Sequence, residues 1–174
     1  NQGTIYKHFN GIINFNPRYY INTSKKSHKH ILLSKIFRSV PEYVRILLHR
    51  IIPQKKTFSK HDFIEYIESM KSRSNSEFGL PVYESVFPDW DNTARYGKKA
   101  TLFTNANAKN FSIALDISIS KIPKSYPPYV FVNAWNEWSE GAYLEPDMKF
   151  GYQYLQVIKN RFTPHPHSSS YDVE

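Results

Sequence analysis

The stretch YVFVNAWNEWSEG, residues 129–141, carries the strongest fold signal in this chain. Its first residues alternate aromatic and β-branched side chains, a composition typical of a β-strand, and we predict a strand over 129–134. Pro127 and Pro128 come directly before it and end any preceding element. The polar residues 135–141 predict a loop at the end of the strand. The segment therefore predicts a strand that leads into a loop rich in tryptophan and glutamate.

Weaker signals on either side predict further strands and helices. Residues 11–16 (GIINFN) and 81–87 (PVYESVF) are apolar runs bounded by Gly or Pro, and we predict a buried strand at each. Ser59 followed by Asp62 resembles a capping box, so we predict a helix that begins there. Further helices are predicted at 31–37, 44–51 and 107–119 and from Asp147, which would cap the last one, and loops at 18–40, 72–80 and 88–106.

This order of elements predicts an α/β fold. Strands that alternate with helices are typical of parallel strands joined by crossover helices. Three strands are too few to close a barrel, since an eight-unit barrel needs about 250 residues. We therefore predict the C-terminal portion of a (β/α)8 barrel, about three of eight units, with the earlier strands missing. The barrel domain would cover residues 1–162, with a basic insertion at 18–75 and a frayed tail at 163–174.

Composition and charge exclude several classes of protein. The 174 residues carry 23 Lys and Arg against 15 Asp and Glu, a net charge of +8, but residues 125–148 hold no basic residue at all. A nucleic-acid binder spreads cations over its working face, so no nucleic-acid partner is predicted. The absence of Cys excludes disulfides and thiolate metal sites. No apolar run reaches the roughly 18 residues of a membrane-spanning helix.

The three tryptophans mark a candidate site. Trp90 follows the predicted strand 81–87, and Trp135 and Trp138 follow the strand 129–134. The loops after the strands form the active-site face of a parallel α/β barrel. Indole rings pack on the apolar face of a pyranose, and neighbouring amides and carboxylates bond its hydroxyls, so these loops suit a sugar. The alternative is that the tryptophans belong to the core and the polar residues form turns.

Glu137 and Glu140 are the candidate catalytic pair. Work on a glycosidic bond needs one group that protonates the leaving oxygen and another that acts at the sugar carbon or a neighbouring hydroxyl. In an extended segment, the spacing of three would hold the two side chains about 10 Å apart on opposite faces. In a helical turn, their Cβ atoms would lie within roughly 5–6 Å on one side. On spacing alone, two ordinary solvated acids remain the alternative.

Residues 132–147, VNAWNEWSEGAYLEPD, resemble the C-terminal signature of the WbsX-type glycosyltransferase family, which is similar to glycoside hydrolase family 99. Residues 87–95, FPDWDNTAR, resemble a second signature of that family, and residues 11–17, GIINFNP, resemble the strand before it. Residues 151–155, GYQYL, match the opening of its last helix. The resemblance covers most of the chain apart from the basic segment 18–75.

The resemblance implies a barrel fold and a mechanism. By resemblance to glycoside hydrolase family 99, Glu137 would take the proton of the substrate's 2-hydroxyl. The resulting oxygen would attack the anomeric carbon to give a 1,2-anhydro sugar. Glu140 would protonate the departing oxygen and then activate water or an acceptor. The resemblance implies a partner that is an oligo- or polysaccharide or a sugar donor, in bacterial surface polysaccharide such as O-antigen. With no leader after Asn1, it also implies a cytoplasmic enzyme, either free or peripheral at the inner membrane.

Other polar residues complete the candidate site. Asp91 and Arg95 would bond sugar hydroxyls or an anionic group, or else form a pair that staples their loop. Asn133 and Asn136 would orient the glutamates or cap the turn. The residues predicted to contact substrate are Trp90, Asp91, Asn92, Arg95, Asn133, Trp135, Asn136, Trp138, Tyr143 and Glu145.

No cofactor or metal is predicted. The pairs His28/His30 and His165/His167 lack a nearby carboxylate that would complete a metal site. The basic segment around 44–51 suits either the solvated side of a barrel helix or contact with an anionic membrane. Two rival functions therefore stay open: a glycan-binding module without turnover, and a basic membrane-surface adaptor. The sequence sets no oligomeric state.

Overall fold

A computed structural model describes residues 8–24, 40–44, 58–74 and 80–163 of the chain. The predicted helices at 31–37 and 44–51, the tail after 163 and both His pairs lie wholly or largely outside these residues. The strands are β1 (Ile12–Asn14), β2 (Ser59–Asp62), β3 (Val82–Glu84), β4 (Thr101–Thr104), β5 (Asn136–Glu137) and β6 (Ala142–Tyr143). The helices are α1 (Arg18–Thr23), α2 (Phe63–Ser72), α3 (Thr93–Tyr96), α4 (Ala108–Ser120) and α5 (Gln153–Phe162).

Parallel pairing dominates the architecture. β1 pairs with β3, with Asn14 opposite Glu84, and β2 pairs with β4 in the same parallel sense. β2 lies in the connection after β1, and β4 lies in the connection after β3. The only antiparallel ladder in the described part of the chain is the short hairpin of β5 and β6. The prediction of a mixed α/β fold with parallel strands is confirmed, but the strands form separate two-stranded sheets.

The segment 129–134, the strongest strand prediction, was wrong as a strand. It runs beside the end of β3 and makes a single parallel bridge, between Val86 and Val132. Val86 N donates to Phe131 O at 2.9 Å, and Asn133 N donates to Val86 O at 2.8 Å. Pro127 and Pro128 cannot donate to a ladder, so pairing does not extend toward the start of the segment. The residues are extended, but two bonds do not make a ladder.

Two strands and two helices occur where loops or a helix start were expected. Residues 59–62 form β2, and the helix cap is Asp62, whose Oδ1 accepts a bond from Ile64 N at 2.7 Å, rather than Ser59. The loop predicted over 88–106 contains α3 and β4, and the loop predicted over 18–40 contains α1. β2 and β4 exist because each is the other's partner, a pairing that no local pattern announces.

The strands at 11–16 and 81–87 are confirmed in shortened form, with one correction. β3 is buried throughout, but in β1 only Asn14 is buried, and Ile13 is 46% exposed. Among the described strands β1 pairs only with β3, so its other edge has no strand beside it.

The helix predicted over 107–119 is confirmed as α4. The side chain of Asn107 accepts a bond from Asn110 N at 3.0 Å, and Phe111, Ala114 and Leu115 point into the core. The last helix begins later than predicted, at Gln153, and its cap position is Tyr152. Asp147 instead closes the preceding turn, because its Oδ1 accepts bonds from Phe150 N and from Gly151 N.

The core lies between α2, α4 and the strands. Phe63, Tyr66 and Met70 of α2 meet Phe87 and the inward face of α4. Each fully buried side chain of this size contributes roughly 1.5–3 kcal/mol of hydrophobic free energy. Because α2 supplies these side chains, residues 63–72 of the predicted insertion belong to the core itself. Within the described residues, no helix has the length and apolar character needed to cross a bilayer.

A buried ion pair sits inside this core. Glu84 of β3 is fully buried and accepts bonds from Arg73 Nη1 at 3.0 and 2.9 Å, with Asn14 Nδ2 at 3.0 Å. The Arg73 guanidinium also stacks 4.4 Å from the ring of Tyr19. Ser118 of α4 donates to Glu84 O at 2.6 Å. One residue thus ties β1, α2, β3 and α4 together.

Candidate active site

Glu137 and Glu140 flank one tight turn. Glu137 ends β5, a single 3₁₀ turn covers Trp138–Glu140, and Gly141 follows with φ +66° before β6 begins. Both glutamates are partly exposed. Of the two arrangements considered for this spacing, the structure therefore has the turn and not the extended strand.

This turn packs directly against the loop that follows β3. Asp91 N donates to Glu140 O at 2.8 Å, and a Cβ at Gly141 would lie only 2.9 Å from Asp91 N. The contact requires glycine on two grounds, the left-handed φ and the absence of a side chain. It joins the W-D-N-T-x-R segment to the N-E-W-x-E-G segment, about 50 residues apart in sequence.

Arg95 reaches across this junction to Glu140. Its Nη1 lies 3.5 Å from Glu140 Oε1, and its side chain is half exposed. Asp91 does not pair with Arg95 among the described residues; its Oδ1 accepts a bond from Thr93 N at 2.9 Å and starts α3. The proposed Asp91–Arg95 staple is therefore wrong. The ion pair forms instead between the two signatures.

Glu137 has a hydroxyl partner inside its own turn. Ser139 Oγ donates to Glu137 Oε1 in a short hydrogen bond. The bond leaves Glu137 Oε2 without a protein partner in the described part of the chain, so one carboxylate oxygen is available to a ligand. Ser139 is a residue that sequence reasoning missed, although its place between the two glutamates was a usable signal.

Trp138, between the two glutamates, is held from its edge and from one face. Its Nε1 donates to Glu145 Oε2 at 2.6 Å, and its ring stacks on Tyr143 at 3.8 Å between centroids and 15° between planes. Tyr143 OH in turn donates to Asp147 Oδ2 at 2.8 Å. Burial, together with this bond, raises the pKa of Tyr143 to about 12, so it remains a donor. Half of Trp138 is exposed.

The three tryptophans divide between site and core. Trp135 and Trp138 are 54% and 50% exposed, whereas Trp90 is buried within the hydrophobic core. The core alternative therefore describes Trp90, and the site interpretation fits the other two. Asn92 is buried as well, and its Oδ1 accepts a bond from Thr101 N at 2.7 Å. Asn92 therefore joins its loop to β4.

The two other asparagines also have backbone roles. Asn133 Nδ2 donates to Asn16 O at 3.1 Å, so its amide ties the segment to the end of β1 and not to a glutamate. Asn136 is exposed and pairs with Tyr143 across the β5–β6 hairpin. The peptide bond between Asn133 and Ala134 is cis, as is that between Asn16 and Pro17.

Asp89 is a second residue that sequence reasoning missed. Burial raises the pKa of this carboxyl to about 6, partly offset by a bond from Trp90 N at 2.7 Å and by the charge of Lys149. It also interacts electrostatically with Asp91. A carboxyl that titrates near neutral pH is typical of functional sites. Its position one residue before Trp90 was the only local signal.

Two partly exposed carboxylates on one turn, an arginine within reach of one of them and two exposed indoles are side chains of the kind that carbohydrate-active sites use. The model for the family described as glycosyltransferase WbsX matches residues 2–158 of the chain. The chain belongs to this WbsX family, and the match runs through the basic segment 18–75 as well.

Two relatives extend the comparison. The chain is similar to the uncharacterized protein WxcX of two Xanthomonas campestris pv. campestris strains, B100 and ATCC 33913. Each is 33% identical over 108 residues, which cover 60% of this chain and 15% of the relative, so the chain spans a small part of their length. A solved structure titled glycoside hydrolase-like protein is 20% identical with a TM-score of 0.43, and the match covers 59% of this chain and 31% of that one.

Proposed function

We propose that this chain belongs to an enzyme that makes or cleaves glycosidic bonds in a bacterial surface polysaccharide, with Glu137 and Glu140 as the catalytic pair. The observation that carries the proposal is the turn that bears both glutamates, packed against the Asp91–Arg95 loop. Membership of the WbsX family supports a sugar substrate. O-antigen of lipopolysaccharide, made at the inner face of the cytoplasmic membrane, is the polymer we propose.

The proposed chemistry uses each glutamate in a separate role. Glu137 takes the proton of the substrate's 2-hydroxyl, and the resulting oxygen attacks the anomeric carbon as Glu140 protonates the leaving oxygen. The product of this step is a 1,2-anhydro sugar. Glu140 then takes a proton from water or from an acceptor hydroxyl, which opens the anhydro ring at the anomeric carbon, and Glu137 returns its proton to the 2-oxygen. Water gives hydrolysis and a sugar acceptor gives transfer, both with retention.

The contacts in the turn agree with this division of roles. Glu137 keeps one oxygen free of protein donors, as a base needs. The Arg95–Glu140 contact is long and half exposed, and such pairs contribute only about 0.2–1 kcal/mol. A bound sugar can therefore displace Arg95 and leave Glu140 as the proton donor. Arg95 would then bond the substrate.

We also propose that residues 1–162 form part of one (β/α)8 barrel domain. β1, β3 and the segment 129–134 lie side by side in chain order and in parallel, the arrangement of neighbouring strands in a barrel wall. The two signatures then follow the second and third of these segments, on the face where barrel enzymes carry their active sites.

Substitution of each glutamate tests the function. Glu137→Gln and Glu140→Gln keep the side-chain volume and remove the charge, and each should lower the rate about 10²–10⁴-fold, the usual contribution of a general acid or base. The measurement is turnover of nucleotide-sugar donors and of α- and β-linked oligosaccharides by the full protein. Glu68→Gln, an exposed acid on α2, is the matched control and should leave the rate unchanged.

The two rival functions give different results. A glycan-binding module would bind the same oligosaccharides without turnover, and neither glutamine substitution would change any activity. A membrane-surface adaptor would bind anionic vesicles with a steep salt dependence. Neither glutamine substitution would change that binding. Either result would refute the catalytic pair.

A further inference from the structure

A groove lies beside the stacked rings of Trp138 and Tyr143. It has a volume of about 620 Å³, within the size range of small-molecule sites. The residues that matter to its chemistry are Trp138, Tyr143, Pro146, Met148, Lys149 and Tyr152. Trp138 is also the residue between Glu137 and Glu140, so the groove adjoins the proposed catalytic turn.

The groove offers apolar surface without a protein partner. Tyr152 is 65% exposed, Trp138 is 50% exposed and Met148 is fully exposed. The stack on Tyr143 fixes the plane of Trp138, so the exposed part of its ring is pre-organised for a flat partner. Rigid aromatic faces of this kind pack against the C–H face of a pyranose ring.

The groove lining carries one cation, Lys149, and one carboxylate, Asp147, whose oxygens are already bonded within their own loop. Asp147 is part of the lining, but its Oδ1 accepts bonds from Phe150 N and Gly151 N, and its Oδ2 accepts the Tyr143 hydroxyl. Its carboxylate is therefore committed to the loop. Lys149 is held at the groove edge, with its Nζ 4.3 Å from the centroid of the Phe150 ring.

One acid opposes Lys149 from a neighbouring element. Asp89, in the loop after β3, interacts with the Lys149 charge. Because Asp89 is largely buried and raised in pKa to about 6, it compensates Lys149 only in part at slightly acid pH. Within the described residues, no salt bridge occupies the Lys149 ammonium.

We propose that this groove is a subsite for a pyranose that bears a carboxylate, a uronic-acid residue of the glycan. The sugar ring packs on Trp138 and Tyr152, and the carboxylate pairs with Lys149. The inference rests on the proposed function, since the same glycan would extend from the groove to Glu137 and Glu140. It adds the class of sugar that the site selects.

The test compares an acid with its own methyl ester. Trigalacturonate and trimannuronate, each with its fully methyl-esterified form, are titrated into the full protein by calorimetry at 0.15 M salt. We expect at least one acid to bind about two- to fivefold more tightly than its ester, the effect of one solvent-exposed ion pair. Lys149→Met should remove this difference. Tyr152→Ala should weaken acid and ester alike.

Lys159→Met is the matched control for net charge. Lys159 is an exposed lysine of α5 outside the groove, so its substitution should leave the preference for the acid intact. Equal binding of acid and ester, equal effects of the two lysine substitutions, or no binding of any trimer would each overturn the proposal.

The experiments distinguish a failure of the proposed function from a failure of the proposed subsite. Glu137→Gln should lower turnover about 10²–10⁴-fold and leave the preference of binding for the acid over its ester intact. If turnover depends on Glu137 but no preference for the acid is found, the subsite is wrong and the catalytic pair stands. If the preference is found without any turnover, the groove stands and the enzymatic proposal does not.

Discussion

Burial of a single side chain, Asp89, changes the pH at which its carboxyl titrates. Its carboxyl is raised in pKa from the usual 3.8 to about 6 chiefly because it is removed from water. Between about pH 4 and pH 6 the folded protein therefore binds more protons at this site than the unfolded chain does. Stability falls as the pH rises through this window, and the full cost is present above pH 6.

Asp89→Asn should consequently stabilise the protein at high pH. The amide keeps an acceptor for Trp90 N and removes the buried charge. We expect a gain of about 1–3 kcal/mol in the free energy of unfolding at pH 8, which disappears below about pH 4. Urea unfolding at pH 8, 6 and 4 measures it. Asp91→Asn, at an exposed site, should show no comparable gain, and an unstabilised Asp89→Asn at pH 8 would contradict the burial argument.

For individual residues, the sequence predicted the types of side chain in the candidate site but not which of these side chains contact each other. The residue types near Glu137 and Glu140 suggested a sugar site, and the turn was one of two arrangements considered. The sequence could not show that Arg95 pairs with Glu140 and not with Asp91, because Arg95 and Glu140 are 45 positions apart in the chain. Trp90 was misassigned for the same reason, since its burial depends on segments distant in sequence.

At the scale of elements, the junction between the turn and the loop after β3 depends on Gly141. Two glycines among the described residues share its positive φ, Gly97 and Gly151, but a Cβ at either would meet nothing within 4 Å. Gly141 differs because a Cβ there would lie 2.9 Å from the backbone of Asp91. The comparison separates backbone strain from close approach.

Gly141→Ala should therefore destabilise the protein more than Gly151→Ala does. Both substitutions carry the cost of a left-handed alanine, about 1 kcal/mol, and only Gly141→Ala must also push the Asp91 loop away. We expect a further loss of about 1–3 kcal/mol, with a fall in activity because Glu140 moves with the turn. Thermal unfolding and turnover of both variants measure the difference. Equal losses would show that the two segments do not need this contact.

Elements with local determinants were predicted well. α4 begins at Asn107, whose side chain caps the first turn, and its apolar spacing defines the buried face. β2 and β4 were missed because neither has a strand pattern of its own, and each is held by the other. The segment 129–134 has the residue pattern of a strand but lacks a ladder of hydrogen bonds to a neighbouring strand. Pairing, not propensity, decides whether a short segment is a strand.

At the scale of the whole molecule, the Arg73–Glu84 pair joins elements that are far apart in the chain. Glu84 has no contact with water, so loss of its partner leaves an uncompensated charge in the core. Removal of one member of such a pair typically costs about 3–5 kcal/mol. The ion pair on the surface of α2, Lys71 with Glu68, provides the contrast, since both side chains are more than half exposed.

Arg73→Met should therefore destabilise the protein by about 3–5 kcal/mol, and Lys71→Met by no more than about 0.5 kcal/mol. Both substitutions remove one positive charge from the same end of α2, so net charge is controlled. Chemical denaturation of the two variants gives the free energies. A small effect at Arg73 would mean that Glu84 finds other donors or takes up a proton. The double variant Arg73→Met with Glu84→Gln should recover part of the loss.

The sequence by itself determined the α/β class, the parallel sense of the strands, the long helix α4 and the two segments of the candidate site. These follow from features that lie within a few residues of one another in the chain, namely helix caps, the spacing of apolar residues and the two family signatures. Only the tertiary structure decided that Gly141 contacts Asp91, that Trp90 lies inside while Trp138 lies open, and that Asp147 is committed to its loop. Each of these depends on which distant segment arrives beside a side chain, and local periodicity holds no information about that neighbour.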